Sequence, residues 1–191
     1  MQAMERRIAE EGKILPGGVL KVGSFLNQQI DTLFTVEMAK EIVSEFKNSG
    51  ITKVLTIEAS GITLAFAVAL EFKIPMIFAK KGTTSNQSSD VFAADVFSYT
   101  HNCSYTATVA REYLSKDDVV LIIDDVLARG EALKALINIT EQSGAKVAGC
   151  AVAFEKAFQQ GGDELRKSGI KVMSLACIES MSPQDGIKFR P

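Results

Sequence analysis

The stretch VVLIIDDVLARGEAL, Val119 to Leu133, decides how the whole chain is read. Val119 to Ile123 is an unbroken run of β-branched and aliphatic residues, the pattern of a parallel strand buried on both faces of a sheet. The run stops at two carboxylates. Asp124 and Asp125 are thereby placed at the carboxyl end of a central strand, where open α/β sheets gather their ligands. Gly130 follows, and then Glu131, Ala132, Leu133, Lys134, Ala135 and Leu136, all good helix formers. Strand, short loop and helix start thus come in direct succession. The unpaired N–H groups and the dipole at such a helix start suit a phosphate, and the neighbouring acids suit sugar hydroxyls. A hydrophobic strand ending in two acids is also the form of a Walker B segment. Its necessary partner, G-x-x-x-x-G-K-[ST], occurs nowhere in the chain, so a P-loop nucleotide triphosphatase is excluded.

A second unit of the same architecture lies upstream: a strand, Lys53 to Ile57, a tight loop, Glu58-Ala59-Ser60-Gly61, and a helical stretch, Ile62 to Phe72. Small residues in such a loop let the backbone approach an anion closely. Pro75 to Ala79 is another apolar strand, which delivers Lys80 and Lys81 into the polar loop GTTSNQSSD. Val91 to Ala110 reads as two extended arms around Thr100-His101-Asn102, making residues 80–110 a flexible loop or hairpin. His101, the only histidine, falls in that polar turn and suits a surface role. Lys146 to Phe154 and Lys171 to Ile178 are further strands, separated by a Gly161-Gly162 turn and a short helix to about Ser168.

At the N-terminus, Met4 to Glu11 forms an amphipathic helix ended by Gly12. Thr35 to Asn48 forms another, with Val36, Ala39, Ile42, Val43 and Phe46 on one face and Gly50 just past its end. Between them, residues 13–31 are irregular and punctuated by glycine, yet rich in Ile, Leu, Val and Phe. A loop with so much apolar surface packs as a cap rather than hanging in solvent. Strands alternating with helices at this spacing predict a doubly wound, mainly parallel α/β sheet. The whole, residues 1–191, reads as one domain with 13–31 as a small hood.

With 191 residues the chain can bury a real core. Its net charge of −2 and pI of about 5.6 leave no broad basic surface for nucleic acid. MQAMERRIAEEG has no hydrophobic core like that of a signal peptide, and no run approaches the roughly 18 apolar residues of a membrane span. A cytoplasmic protein without membrane or nucleic-acid partners is expected. The three cysteines, Cys103, Cys150 and Cys177, are widely spaced without a C-x-x-C pair, so neither a disulfide framework nor a zinc site is indicated.

The apolar strand, acid pair and small loop entering a helix closely resemble the diphosphate-sugar signature of the type I phosphoribosyltransferases. That resemblance implies transfer of a phosphoribosyl group from phosphoribosyl diphosphate to a base nitrogen, with magnesium carried on the diphosphate rather than in a metal cage of the protein. Asp124 and Asp125 resemble the family's ribose-hydroxyl acids, and Ala128-Arg129-Gly130-Glu131-Ala132 its 5′-phosphate loop. Most members have hydroxyl residues in that loop. This chain has none, so backbone N–H groups would form the cradle, with Arg129 either assisting or facing solvent. Ala59-Ser60-Gly61 resembles the diphosphate loop, and Lys80 and Lys81 resemble the basic pair that in dimeric relatives reaches the diphosphate of the neighbouring subunit, with Lys81 the expected contact, which implies a homodimer. Ala128 stands where animal hypoxanthine-guanine enzymes have an aspartate near the purine. The usual general base is missing, no residue is named in its place, and the catalytic assignment stays open.

KVGSFLNQQID, IEASG and EKAFQ extend the resemblance over essentially the whole chain, to the bacterial branch of the family that uses xanthine. By that resemblance Leu20 and Asn27 contact the base. Lys156, at a strand's carboxyl end, brings three donors and no acceptor, which suits a 6-oxo group and not adenine's 6-amino group. Asn27 both donates and accepts, which suits a dioxopurine. Phe158 either packs on the base or belongs to the rim of the core. The expectation is xanthosine 5′-monophosphate formation in purine salvage. Hypoxanthine, guanine or adenine are the competing bases, and a regulatory protein that senses the donor sugar is the competing class.

Overall fold

The computed structural model describes residues 1–82, 90–98 and 103–190. The tip Thr100-His101-Asn102 and residues 83–89 of the polar loop lie outside the described residues. In chain order the elements are α1 (Gln2–Glu11), β1 (Lys13–Leu15), β2 (Val19–Lys21), α2 (Thr32–Phe46), β3 (Lys53–Ile57), α3 (Gly61–Phe72), β4 (Met76–Lys81), β5 (Val91–Ser98) and β6 (Cys103–Ala110). There follow β7 (Val119–Leu127), α4 (Glu131–Gln142), β8 (Lys146–Lys156), α5 (Gly161–Lys167), β9 (Val172–Ser182) and β10 (Gly186–Phe189).

Eight strands form one sheet in the order β10-β9-β8-β7-β3-β4-β6-β5. The central neighbours, from β9 across β8, β7 and β3 to β4, are parallel. The outer pairs β10 with β9, β4 with β6 and β6 with β5 are antiparallel. The predicted mainly parallel sheet is therefore what forms, and its strand order reverses between β3 and β7. Ligands of open α/β sheets bind at such a switch point, and β7 is the strand that carries the acid pair.

The alternation along β7 explains how it is covered. Leu121 and Ile123 pack with Met38 and Ile42 of α2 and Leu64 and Val68 of α3. Val120 and Ile122 pack on the other face with Leu133, Leu136 and Ile139 of α4. All four strand residues are fully buried, and each such side chain contributes about 1.5–3 kcal/mol of burial free energy. Helices α1 to α3 thus cover one face and α4 with α5 the other, a doubly wound arrangement. Burial pushes the Cys150 thiol, in β8, up to about 12, which makes it a core residue without reactivity.

Several boundaries differ from the sequence expectation, each for a physical reason. Helix α2 starts at Thr32 rather than Thr35 because the Asp31 carboxylate caps it, accepting from Phe34 N–H at 3.1 Å. Strand β7 does not stop at the acids but runs on to Leu127, since β8 keeps pairing with it through Val126 and Leu127. Lys80 and Lys81 belong to strand β4 rather than the loop after it, paired with Thr108 and Ala107 of β6. Gly161 and Gly162 open helix α5 instead of forming a turn. The segment 13–31 is not irregular: β1 and β2 form a hairpin through Pro16-Gly17-Gly18, followed by a π-helical turn, Gly23–Asn27. Its Leu20, Val22, Phe25 and Leu26 are buried in the same core as α2 and α3, as a cap requires.

Candidate active site

Asp124 and Asp125 sit at the crevice end of β7 in different environments. Asp124 is buried, and its Oδ1 accepts from the Asp125 N–H at 2.9 Å. Burial, and then the neighbouring charge of Asp125, push its carboxyl well above the usual carboxylate range, against a smaller opposing pull from Lys81. Asp125 is half-buried and accepts from Asn27 Nδ2 at 3.3 Å.

Two backbone loops flank the acids. After β3, Glu58 turns back to β4: its backbone N–H donates to the Ala79 carbonyl, and its carboxylate accepts from the Lys81 N–H at 2.6 Å. The Glu58-Ala59 peptide is cis. Gly61 opens α3 so close to the acids that a Cβ on it would lie 2.3 Å from Thr56 Oγ1 and 2.9 Å from Asp124 Oδ1. Only glycine fits there, and its smallness lets this loop lie directly on Asp124. After β7, the loop Ala128-Arg129-Gly130 leads into α4. Gly130 adopts φ +81° at the start of α4, with no side chain capping it. The first N–H groups of α4 are thus without partners from a cap, as an anion cradle needs. Gly161 packs beneath this loop and donates to the Ala128 carbonyl at 3.1 Å, and a Cβ on it would stand 2.4 Å from that oxygen.

A cavity of about 440 Å³ opens between these parts and the hood. Asp124, the loop 128–132 and Lys156 line it together with Gly17, Gly18 and Val19 of the hood hairpin and Val96, Phe97 and Tyr105 of the β5–β6 hairpin. Lys156 is half-buried, its Nζ donating to the Gly18 carbonyl at 2.9 Å, and burial lowers its pKa. Burial, and then the Asp124 charge, raise the Tyr105 phenol. Lys81 lies over the Tyr105 ring, 5.2 Å from its centroid.

The structure therefore brings Asp124, Ala128, Arg129, Gly130, Glu131, Ala132 and Lys156 to one cavity, with Asp125 and Gly61 immediately beside Asp124 and Ala59-Ser60 in the turn that leads into Gly61. Asn27 joins them through Asp125. The Leu20 side chain points the other way, into the core, while its neighbours Gly18 and Val19 face the cavity. Phe158 lies outside this cavity, on an adjoining recess. Gly17, Gly18, Val19, Phe97, Tyr105 and Gly161 were missed in the sequence. Only the Pro16-Gly17-Gly18 turn carried a local signal.

A central parallel sheet whose switch point holds an acid pair, two close-packed backbone loops and a cavity under a hood defines the class. Residues 29–181 match the phosphoribosyl transferase domain family, and the chain belongs to that family. It is 49% identical over 183 residues to the xanthine phosphoribosyltransferase of Heliobacterium modesticaldum, covering 96% of this chain and 97% of the relative. It is 45% identical to the xanthine phosphoribosyltransferase of Bifidobacterium adolescentis, covering 100% of both. Among solved structures, APRTase from Giardia lamblia complexed with 9-deazaadenine superposes with a TM-score of 0.77 at 25% identity, covering 91% of this chain and 97% of that one.

Proposed function

We propose that this chain transfers the 5-phosphoribosyl group of phosphoribosyl diphosphate to xanthine, yielding xanthosine 5′-monophosphate and diphosphate in purine salvage. The observation that carries the proposal is the cavity in which Asp124 of the acid pair, an uncapped helix start and Lys156 meet beneath the hood. Full-length similarity to xanthine phosphoribosyltransferases supports the choice of base.

Breaking the ribose C1–O bond builds cationic character on the sugar and negative charge on the departing diphosphate. The protein's task is to hold anions and to position the base. Asp124 and Asp125 accept from the ribose hydroxyls. The backbone of 128–132 cradles the 5′-phosphate, and Ala59-Ser60-Gly61 the diphosphate. Among the described residues no group of three or more His, Cys, Asp or Glu is assembled that could hold a metal by itself. Two carboxylates suffice for Mg2+ that keeps substrate phosphates and water as its other ligands, so Asp124 and Asp125 fit an ion brought in on the donor. When bound, such an ion neutralises diphosphate charge. Lys156 donates to the 6-oxo group, Asn27 reads the other polar edge, and Leu20 contributes through its backbone and by seating the hairpin. No side chain is assigned as general base.

The enzyme acts as a homodimer in the cytoplasm, with Lys81 contributing to the diphosphate site. Sedimentation showing a monomer at assay concentration would remove the shared role of Lys81. No helix among the described residues is long and apolar enough to cross a membrane. Steady-state kcat/KM values with phosphoribosyl diphosphate and xanthine, hypoxanthine, guanine or adenine test the proposal. Xanthine is expected to be highest. Adenine as the best substrate would refute the base assignment, and no transfer to any purine would refute the reaction.

A further inference from the structure

Glu131, the first residue of α4, stands where the donor's 5′-phosphate is to be bound. A carboxylate at this point competes with a phosphate for the same N–H groups and repels it. The structure shows what becomes of that charge. Lys134, almost one turn further on, places its Nζ 3.2 Å from Glu131 Oε1 and 2.9 Å from Glu164 Oε2 of α5. The two carboxylates, Glu164 first, raise the lysine's pKa, so it stays charged. Glu131 lines both the main cavity and a polar recess of about 380 Å³ beside it, whereas Lys134 and Glu164 line the recess alone. The lysine therefore pulls Glu131 toward the recess side, away from the helix start.

We propose that Lys134 is a positioning residue for the 5′-phosphate: it holds the Glu131 carboxylate off the α4 N-terminus, and Glu164 anchors the lysine. The proposal rests on the reading of 128–132 as the 5′-phosphate loop. Lys134 does not itself touch the substrate. Its effect passes through Glu131, which makes the pair separable from a general attraction of phosphate by a lysine.

The test uses the full chain as wild type, Lys134→Met, Glu131→Gln and the double variant. Ribose 5-phosphate and ribose are titrated by calorimetry, and KM for each substrate and kcat are measured. Exposed ion pairs are worth little, so Lys134→Met should weaken ribose 5-phosphate and raise the donor KM by roughly 2- to 5-fold. The xanthine KM and kcat should be unmoved. In the Glu131→Gln background the lysine change should lose its effect, so the double variant should bind as Glu131→Gln alone does. A double variant weaker than Glu131→Gln by the factor that separates Lys134→Met from wild type would overturn the proposal, because the lysine would then be acting directly. An unchanged Lys134→Met protein would overturn it as well. If wild type bound ribose 5-phosphate no better than ribose, the phosphate-loop reading itself would fall, whatever the variants did.

Discussion

On the proposed assignment, the donor half and the base half of the cavity are built in opposite ways. The donor half is built from local strand-loop-helix units: Asp124, Asp125 and the loop 128–132 lie within one, seated on fully buried strand residues, and Ala59-Ser60-Gly61 lies within the neighbouring one. The base half is assembled from distant pieces. The hairpin β1–β2 and Asn27 come from the hood, Lys156 from the end of β8, and Phe97 and Tyr105 from β5 and β6. Lys156 and Gly18 are 138 residues apart and meet through one 2.9 Å hydrogen bond. The chemistry shared by a family can be held in a rigid local unit, while the choice of base is left to a joint between elements that vary independently.

The largest expected effect lies in the donor half. Asp124→Asn or Asp125→Asn should weaken phosphoribosyl diphosphate by roughly 10- to 140-fold in calorimetric titration, from the loss of a charge-assisted hydrogen bond of about 1.5–3 kcal/mol. The fold should persist, as circular dichroism would show. The same Asp124 variant should also alter stability with pH. A carboxyl whose folded pKa lies above its unfolded value of 3.8 binds more protons when folded, so its contribution to stability falls as pH rises through the window between the two. Denaturant unfolding of Asp124→Asn should therefore gain on wild type from about pH 3.8 upward. A constant difference across pH would show that the folded state does not raise the Asp124 pKa.

Next in size is Lys156→Ala. It should reduce kcat/KM for xanthine, hypoxanthine and guanine alike by roughly 5- to 140-fold, since a polar group left unpaired costs about 1–3 kcal/mol. A loss confined to xanthine would move the lysine from the 6-oxo edge to the 2-oxo edge. Smallest is Asn27→Ala, which should narrow the preference for xanthine over hypoxanthine by roughly 2- to 10-fold, as expected for a neutral hydrogen bond. An unaltered ratio would leave Asn27 as a partner of Asp125 alone.

The same contrast governs what could be read from the residues in advance. β7 and β3 were legible because burial on both faces leaves unbroken apolar runs, α3 and α4 because helix formers follow those strands directly, and Gly130 and Gly61 mark where loops must tighten. The acid pair was legible for the same reason, although β7 continues past it, because pairing with β8 is indifferent to the side chains that point into the crevice. The hood hairpin was not legible. Its strands are three residues each, too short for an alternation to stand out, and Leu20 faces the core because the hairpin folds back onto α1. Tyr105 and Phe97 were invisible as site residues because only the crossing of β6 beyond β4 brings them to the cavity. Gly161 looked like a turn. Its packing beneath the loop that enters α4 depends on a contact made across 33 residues with Ala128.

The division between the two halves is tested most directly by measuring both Michaelis constants side by side in Asp124→Asn and Lys156→Ala. The expected pattern crosses: Asp124→Asn raises the KM of phosphoribosyl diphosphate and leaves that of xanthine within about 2-fold, a change near the lower limit of a neutral hydrogen bond. Lys156→Ala does the reverse. Equal increases of both constants in both variants would mean that donor and base are not held by separate halves.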